Sequence, residues 1–289
     1  MFEKVLLFRD ESIMKIILCV NEIMTNEISG GVMNREEIRK MGLSFGADVV
    51  GFAAVEDYKS KRAPDPKVIY PGIRSMVVMG FRELDGGLAS DVGRISMHSR
   101  IGQMDLTRSC TFRTAKALED RFKIRAAPIM PSYPLNMAAP YMGLVADISL
   151  RHAAVAAGLG NFGRHSLVIS PRFGTRILFT AILTDMELAS DPPVTEVLCD
   201  ECGLCVASCP AHALDEEGKT EDLKCLRNSQ PFGIGGAIGF IRKFTGAPPE
   251  QQKAMIMDPQ FLSLYQASFI GFQYECFRCM AVCPACIDA

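Results

Sequence analysis

Hydrophobic and polar positions alternate along this chain in short blocks rather than long runs. Asn34–Phe45 carries Ile38, Met41, Leu43 and Phe45 among charges, a spacing that predicts a helix with Asn34 as its N-cap. Asp48–Val55 (DVVGFAAV) and Ser75–Phe81 (SMVVMGF) are short apolar runs bounded by charge, Gly or Pro, which predicts buried strands. The stretch between them, KSKRAPDPKVIYPG, reads as a Pro-rich loop. Thr107–Phe122 predicts an amphipathic helix, and Ile148–Ala157 a helix that Gly158 can end. Ser166–Ile169 and Arg176–Leu183 predict a β-hairpin turning at PRFG, residues 171–174. Val5–Phe8 and Ile16–Val20 are apolar patches compatible with strand or helix.

Length and charge then divide the chain. Its 289 residues are long for one ordinary domain and comfortable for two. DPPV at 191–194 interrupts regular structure, and residues 186–289 hold 14 acids against 7 bases, net −7, while the remainder is +5. These features predict an N-terminal extension over 1–33, a cofactor or substrate domain over 34–190 and a Cys-rich domain over 191–289. Hydrophobic residues at 48% and charged residues at 22% are globular proportions. The overall charge of −2 provides no global basic field, which argues against nucleic acid as a partner. No apolar run approaches the roughly 20 residues of a membrane span, and the N-terminus lacks a clean secretory pattern. The reading is cytoplasmic, with reduced thiols free to bind metal.

The cysteines carry the clearest chemistry. There are 11, and nine lie between Cys199 and Cys286. Cys199-x2-Cys202-x2-Cys205-x3-Cys209-Pro210 has the bacterial ferredoxin spacing, in which three thiolates hold one [4Fe–4S] cubane and the fourth reaches another. Structural zinc would call for two separated pairs of ligands. A second, abbreviated run follows: Cys276-x2-Cys279-x3-Cys283-Pro284. Adding the isolated Cys225 brings the ligands to eight, enough for two cubanes. The crossed assignment gives Cys199, Cys202, Cys205 and Cys283 to one, and Cys209, Cys225, Cys276 and Cys279 to the other. A rival assignment uses Cys286 in place of Cys225. Cys19 and Cys110 read as ordinary thiols.

Other motifs are less specific. Gly158-Leu-Gly160-Asn-Phe-Gly163 matches GxGxxG, but a helix precedes the glycines and a strand follows, the reverse of a dinucleotide fingerprint. The better local reading is a turn whose glycines let backbone approach something bulky. Arg164, His165 and Ser166 follow it directly. Arg94, His98 and Arg100 form a polar cluster that could bind an anion, although a solvated loop is the preferred reading. GIGGAIG at 233–239 could be a flexible lid or a close-packing loop.

The combination resembles a known family, the epoxyqueuosine reductases and the related reductive dehalogenases. RHAAVAAGLGNFGRHSLVISPRFGTRILFTAILTD at 151–185, DPP at 191–193, the full ferredoxin run, the isolated Cys225 and CxxCxxxCP at 276–284 come in that family's order. The resemblance covers roughly residues 34–289. It implies an α+β fold, with a nitroreductase-like corrinoid-binding domain followed by a ferredoxin-like domain with two clusters. Electrons would pass through the two [4Fe–4S] clusters to a cobalamin that acts on the substrate. The corrinoid is expected against the turn, touching Gly158, Gly160, Asn161, Gly163, Arg164, His165 and Ser166. The chain has no Asp-x-His-x-x-Gly pattern, so the cobalt is expected to lack a lower His ligand. Where the epoxyqueuosine enzymes carry an acid, seven residues before the arginine that Arg151 resembles, this chain has Leu144. Tyr141 and Asp147 are the nearest candidates for a proton donor.

Three functions follow. The first is a cobalamin-dependent iron–sulfur reductase of a small molecule, fed by an external low-potential donor. The second is an electron-transfer or activator protein that reduces a corrinoid or other redox partner protein. The third is epoxyqueuosine reduction in tRNA.

Overall fold

The computed structural model describes residues 34–131, 134–141, 143–270 and 276–285. Met1–Met41 and Gly42–Ala289 form two compact units. Val5–Phe8, Ile16–Val20, Cys19 and Cys286 lie outside the described residues. Helix α1 covers residues 34–44. Residue 34 is already helical, so Asn34 is not the cap that its residue type suggested.

The second unit is built on a four-stranded antiparallel sheet. Its strands are β1 (Val49–Ala54), β2 (Ser75–Arg82), β3 (Ala126–Ile129) and β6 (Ile177–Thr184), in the order β1-β2-β6-β3. Strand β2 is buried along all but its last residue, which explains its unbroken apolar sequence. The short helix α2 (Pro66–Ile69) sits in the Pro-rich loop, with Asp65 accepting from the Lys67 N–H at 2.8 Å as its N-cap.

One face of the sheet carries Phe179, Ala181 and Leu183 against Ala153, Ala154 and Ala157 of helix α5 (Leu150–Ala156) and its C-cap. The small alanines let the helix lie close: a Cβ on Gly51 would stand 2.4 Å from the Ala157 carbonyl oxygen. The other face carries Thr180, which alternation points away from Phe179 and Ala181. Helix α4 (Gly93–Phe122) covers it, with the Thr111 and Thr180 hydroxyl oxygens hydrogen-bonded at 2.8 Å. The result is a helix–sheet–helix sandwich of α+β class. Before α4 comes the short helix α3 (Asp85–Leu88).

Helix α4 starts 14 residues before the predicted Thr107. Its buried face includes Thr107, Thr111 and Thr114, whose hydroxyls donate to the carbonyls of Met104, Thr107 and Cys110 at 2.7–2.9 Å. Core contact through back-bonded threonines leaves little hydrophobic periodicity to read. The cluster Arg94, His98 and Arg100 is therefore helical, not a loop. Arg100 is buried in an ion pair with Glu83 and lies over the Phe277 ring at 5.0 Å.

The predicted hairpin is also revised. Strand β5 (Val168–Ile169) pairs with β4 (Asn161–Phe162), not with β6, which enters the main sheet between β2 and β3. Residues 171–174 do form the turn, closed by the reciprocal Ser170–Gly174 bonds at 2.8 and 2.9 Å. Gly174 then passes under the chain's C-terminal part, where its Cβ would lie 2.2 Å from the Ala285 carbonyl oxygen.

Residues 191–285 hold α6 (Leu204–Ala207), α7 (Asp222–Ser229), α8 (Ile234–Thr245), α9 (Pro249–Met255), α10 (Pro259–Ile270) and α11 (Arg278–Ala281). GIGGAIG is the start of α8 rather than a loop. Gly236 is a close-packing position, since a Cβ there would meet the Pro231 carbonyl oxygen at 2.0 Å. No described helix is long and apolar enough to cross a membrane.

Candidate functional site

The full cysteine run wraps through left-handed backbone at Glu201 and Gly203 (φ 55° and 74°) before α6. Asp200 fixes the turn by accepting from the Cys202 N–H at 3.2 Å. The abbreviated run is held from the sheet domain. Thr175 Oγ1 donates to the Met280 carbonyl at 2.9 Å, and the Arg176 guanidinium donates to the carbonyls of Ala281 and Cys283 at 3.2 and 3.5 Å.

These anchors bring distant cysteines together. Cys205 has Cys283, Cys199 and Cys202 as electrostatic neighbours, and Cys283 in turn has Cys199 and Cys202. Cys279 has Cys276, Cys225 and Cys209 around it, and Cys225 has Cys276 and Cys209. Cys279 also feels Cys205, so the two foursomes adjoin. Burial first, and neighbouring thiols second, push Cys279 up to about 12 and raise Cys205, Cys225 and Cys283. Thiols so crowded and desolvated lose their protons only against a positive partner. An all-thiolate donor set selects iron–sulfur clusters or another soft metal. Among the described residues no His, Cys, Asp or Glu trio converges on a single ion. A cubane makes a different demand, because each thiolate binds its own iron.

A cavity of about 980 Å³ shares Arg164 with the small cavity that Cys199, Cys202, Cys205 and Cys283 border, and stands at the top of the roughly 300–1,000 Å³ range of ligand pockets. Tyr58, His152 and Phe162 line it, with Arg164 and Ser166 from the turn and Gly218–Thr220 from between the cysteine runs. The His152 and Phe162 rings pack at 4.8 Å. A second cavity of about 430 Å³ shares Arg62, Arg151 and His152 with it. The rim of the first is cationic: seven Lys and Arg side chains against three Asp and Glu. Four of the seven, Lys59, Lys61, Arg62 and Lys67, sit on the Pro-rich loop.

The turn residues predicted to touch a corrinoid divide into two sets. Gly163, Arg164 and Ser166 line the large cavity; Gly158, Gly160 and Asn161 do not. Gly158 follows the C-cap Ala157 in the left-handed region (φ 67°), and the Leu159 N–H bonds the Ala154 carbonyl at 2.9 Å. A Cβ on Gly158 would meet the Pro192 carbonyl oxygen at 2.3 Å, and one on Gly160 the Ile169 carbonyl oxygen at 2.2 Å. What these two glycines admit is the chain's own backbone. Asn161 spends both amide hydrogens on the carbonyls of Val194 and Glu196, at 3.1 and 2.9 Å, and so straps down the start of the Cys-rich part.

His165 is buried and lines a small separate cavity together with Cys199, Cys202, Cys205, Cys283 and Arg164. Burial alone lowers its pKa to about 4. Of the proton-donor candidates, Asp147 lines the second cavity, and Tyr141 lines neither. His152, which the sequence offered only as one of four histidines, borders both. Its Nδ1 lies 2.7 Å from Ser149 Oγ, and burial and then Arg151 lower its pKa. Its position beside Arg151 in the 151–185 segment was the available signal.

No protein-family profile matches the chain. The epoxyqueuosine reductase of Staphylococcus aureus is 29% identical over 137 residues, covering 47% of this chain and 29% of that protein. The tetrachloroethene reductive dehalogenase of Desulfitobacterium hafniense is 38% identical over 86 residues, 27% of this chain and 15% of that one. The chain is a divergent relative of the epoxyqueuosine reductases and reductive dehalogenases. The fold agrees. A crystal structure of selenomethionine-labelled epoxyqueuosine reductase superposes with a TM-score of 0.58 at 16% identity, over 89% of this chain and 67% of that one. Another, of epoxyqueuosine reductase with a tRNA-Tyr stem loop, gives a TM-score of 0.50 at 16% identity, over 68% of this chain and 56% of that one. The matched stretch spans about a third of the length of the first curated relatives. The cationic rim shows that the net charge of the whole chain does not describe the surface around the cavity. A whole-chain charge averages out residues that the fold collects around one opening.

Proposed function

We propose that this protein is an iron–sulfur reductase that feeds electrons through two [4Fe–4S] clusters to a cobalamin in the 980 Å³ cavity. The observation that carries the reading is the pair of four-thiol groups, each drawing on both cysteine runs, beside a cavity large enough for a bulky cofactor. A bound corrinoid would supply the reducing centre, and the protein supplies binding, orientation and charge. Arg164 and Ser166 would hold its polar periphery, and Phe162 and Tyr58 would shield it from water. Asp147 and His152, on the adjoining cavity, are placed to hold or deliver a proton. The cationic rim would draw in an anionic substrate.

The test is anaerobic reconstitution with iron, sulfide and cobalamin, followed by metal analysis and a visible spectrum. About eight iron atoms and one cobalt per chain support the reading. Iron without cobalt would turn it into the electron-carrier function. Cys225→Ala should remove one cluster and Cys286→Ala neither; the reverse would reinstate Cys286 as the ligand.

A second reading, reduction of a modified base in tRNA, is favoured by the loop cations Lys59, Lys61, Arg62 and Lys67 at the cavity mouth. Phosphate contacts weaken steeply with salt. A salt-sensitive mobility shift with a tRNA stem loop, lost on triple substitution of Lys59, Lys61 and Arg62 by Ala, supports it. No shift at low salt leaves a small anionic substrate.

A further inference from the structure

His165, with Arg164, lines the small cavity that four of the cysteines border, and of the two it is the buried one. Its side chain is 4% exposed. The Leu167 N–H donates to Nδ1 at 3.1 Å, so Nδ1 is an acceptor and the proton of the neutral ring is on Nε2. That Nε2 is buried and has no hydrogen-bond partner among the described residues. A buried donor left unpaired is costly, so a fold keeps one only where something meets it. The ring borders a cavity of about 20 Å³ whose other walls include Cys199, Cys202, Cys205 and Cys283. Asp200 and Glu201 line it too, but both are exposed, so the sulfurs of Cys205 and Cys283 are the buried acceptors there. The backbone on either side of the ring, Gly163, Arg164 and Ser166, lines the 980 Å³ cavity. His165 thus stands in the wall between the first foursome and the large cavity.

We infer that the His165 Nε2–H donates a hydrogen bond to a sulfur of the cluster held by Cys199, Cys202, Cys205 and Cys283, and so sets that cluster's reduction potential. The inference rests on the proposed two-cluster reading and adds a residue outside the cysteine set. Hydrogen bonds to cluster sulfurs are among the determinants of reduction potential. A donor stabilises the added negative charge of the reduced cluster, so it raises the potential. It acts on the cluster next to the cofactor cavity and leaves the other unaffected. Electrons entering at the Cys209, Cys225, Cys276 and Cys279 group would then run downhill toward that cavity.

The experiment is an EPR-monitored redox titration of the reconstituted wild type, His165→Leu and His165→Gln. At a fixed ambient potential, His165→Leu should lower the reduced-to-oxidised ratio of one cluster about tenfold, which is ~59 mV for a one-electron couple. His165→Gln, which keeps an N–H donor, should recover part of the shift. The affected signal should be the one that survives in Cys225→Ala. Proton ENDOR of the wild type should show a strongly coupled exchangeable proton on the same cluster, a readout that needs no variant to fold. Two clusters with unchanged potentials and no such proton would overturn the inference while leaving the two-cluster reading intact. A shift in the cluster that depends on Cys225 would overturn it as well. Absence of clusters from the wild type would overturn both.

Discussion

The Arg176 guanidinium donates to the Ala281 carbonyl at 3.2 Å, tying the residue before strand β6 to helix α11, which carries Cys279. The same side chain reaches Asp85 at 3.6 Å and the Cys283 carbonyl at 3.5 Å. One residue of the sheet domain therefore fixes the backbone on which two thiols depend. Arg176→Ala should destabilise the apoprotein by about 1–3 kcal/mol and speed iron loss to a chelator. Lys cannot reproduce the fork, so Arg176→Lys should recover little of either. Thermal melting and chelator kinetics check both.

Glu83 and Arg100 form a buried ion pair. Burial raises the Glu83 carboxyl above its usual range, and Arg100 pulls it back. Arg100→Met leaves an uncompensated buried acid and should cost about 3–5 kcal/mol. Replacing Glu83 and Arg100 together by Met should recover most of that loss in denaturant melts, because no buried charge then remains. A double variant as unstable as the single would mean that Arg100 works mainly through its packing on Phe277.

Gly160→Val should unfold the glycine turn whether or not a corrinoid is present, because its Cβ would sit 2.2 Å from the Ile169 carbonyl oxygen. The measurement is a melt of the apoprotein beside a corrinoid titration. Lost binding with an unchanged melt would return Gly160 to the cofactor site. Ser166→Ala and Arg164→Ala, on the cavity wall, should weaken corrinoid binding with little change in melting.

Asn161→Ala removes two hydrogen bonds to the segment that leads into the first cysteine. The expected cost is about 1–3 kcal/mol, with faster proteolytic nicking around residues 191–198. Asn161→Asp, which has no amide hydrogens, should behave like Ala.

The pKa of His152 is lowered from 6.5 in the folded protein, by burial and then by Arg151. Below about pH 6.5 the unfolded chain binds a proton that the folded chain resists. The stability tied to the neutral ring is complete above that pH and falls as the solution is acidified. Equilibrium unfolding between pH 7 and pH 5 should show this slope, to which His165, lowered to about 4, adds in the same direction, and His152→Gln should remove part of it.

Much of this protein could be read from sequence alone because local chemistry dictates it. Strands β1 and β2 follow from short apolar runs, the end of α5 from Gly158, and the cysteine runs from their ligand spacing and closing prolines. Helix α4 was half hidden because it meets the sheet through threonines that satisfy their own hydroxyls, and hydrophobic periodicity cannot register such a face. The pairing of β5 with β4 was hidden because two-residue strands take whichever partner packing supplies. The glycine turn was placed correctly in the chain, but its purpose was decided elsewhere: carbonyls of Pro192 and Ile169, distant in sequence from one or both glycines, occupy the space their missing side chains leave. The cationic rim was invisible for a related reason, since charges scattered from Lys59 to Lys219 make a field only once the fold gathers them. Sequence determines which groups a chain carries and what each can do alone. Tertiary structure alone decided which groups share one low-dielectric space, because burial and proximity belong to pairs of residues rather than to any residue by itself.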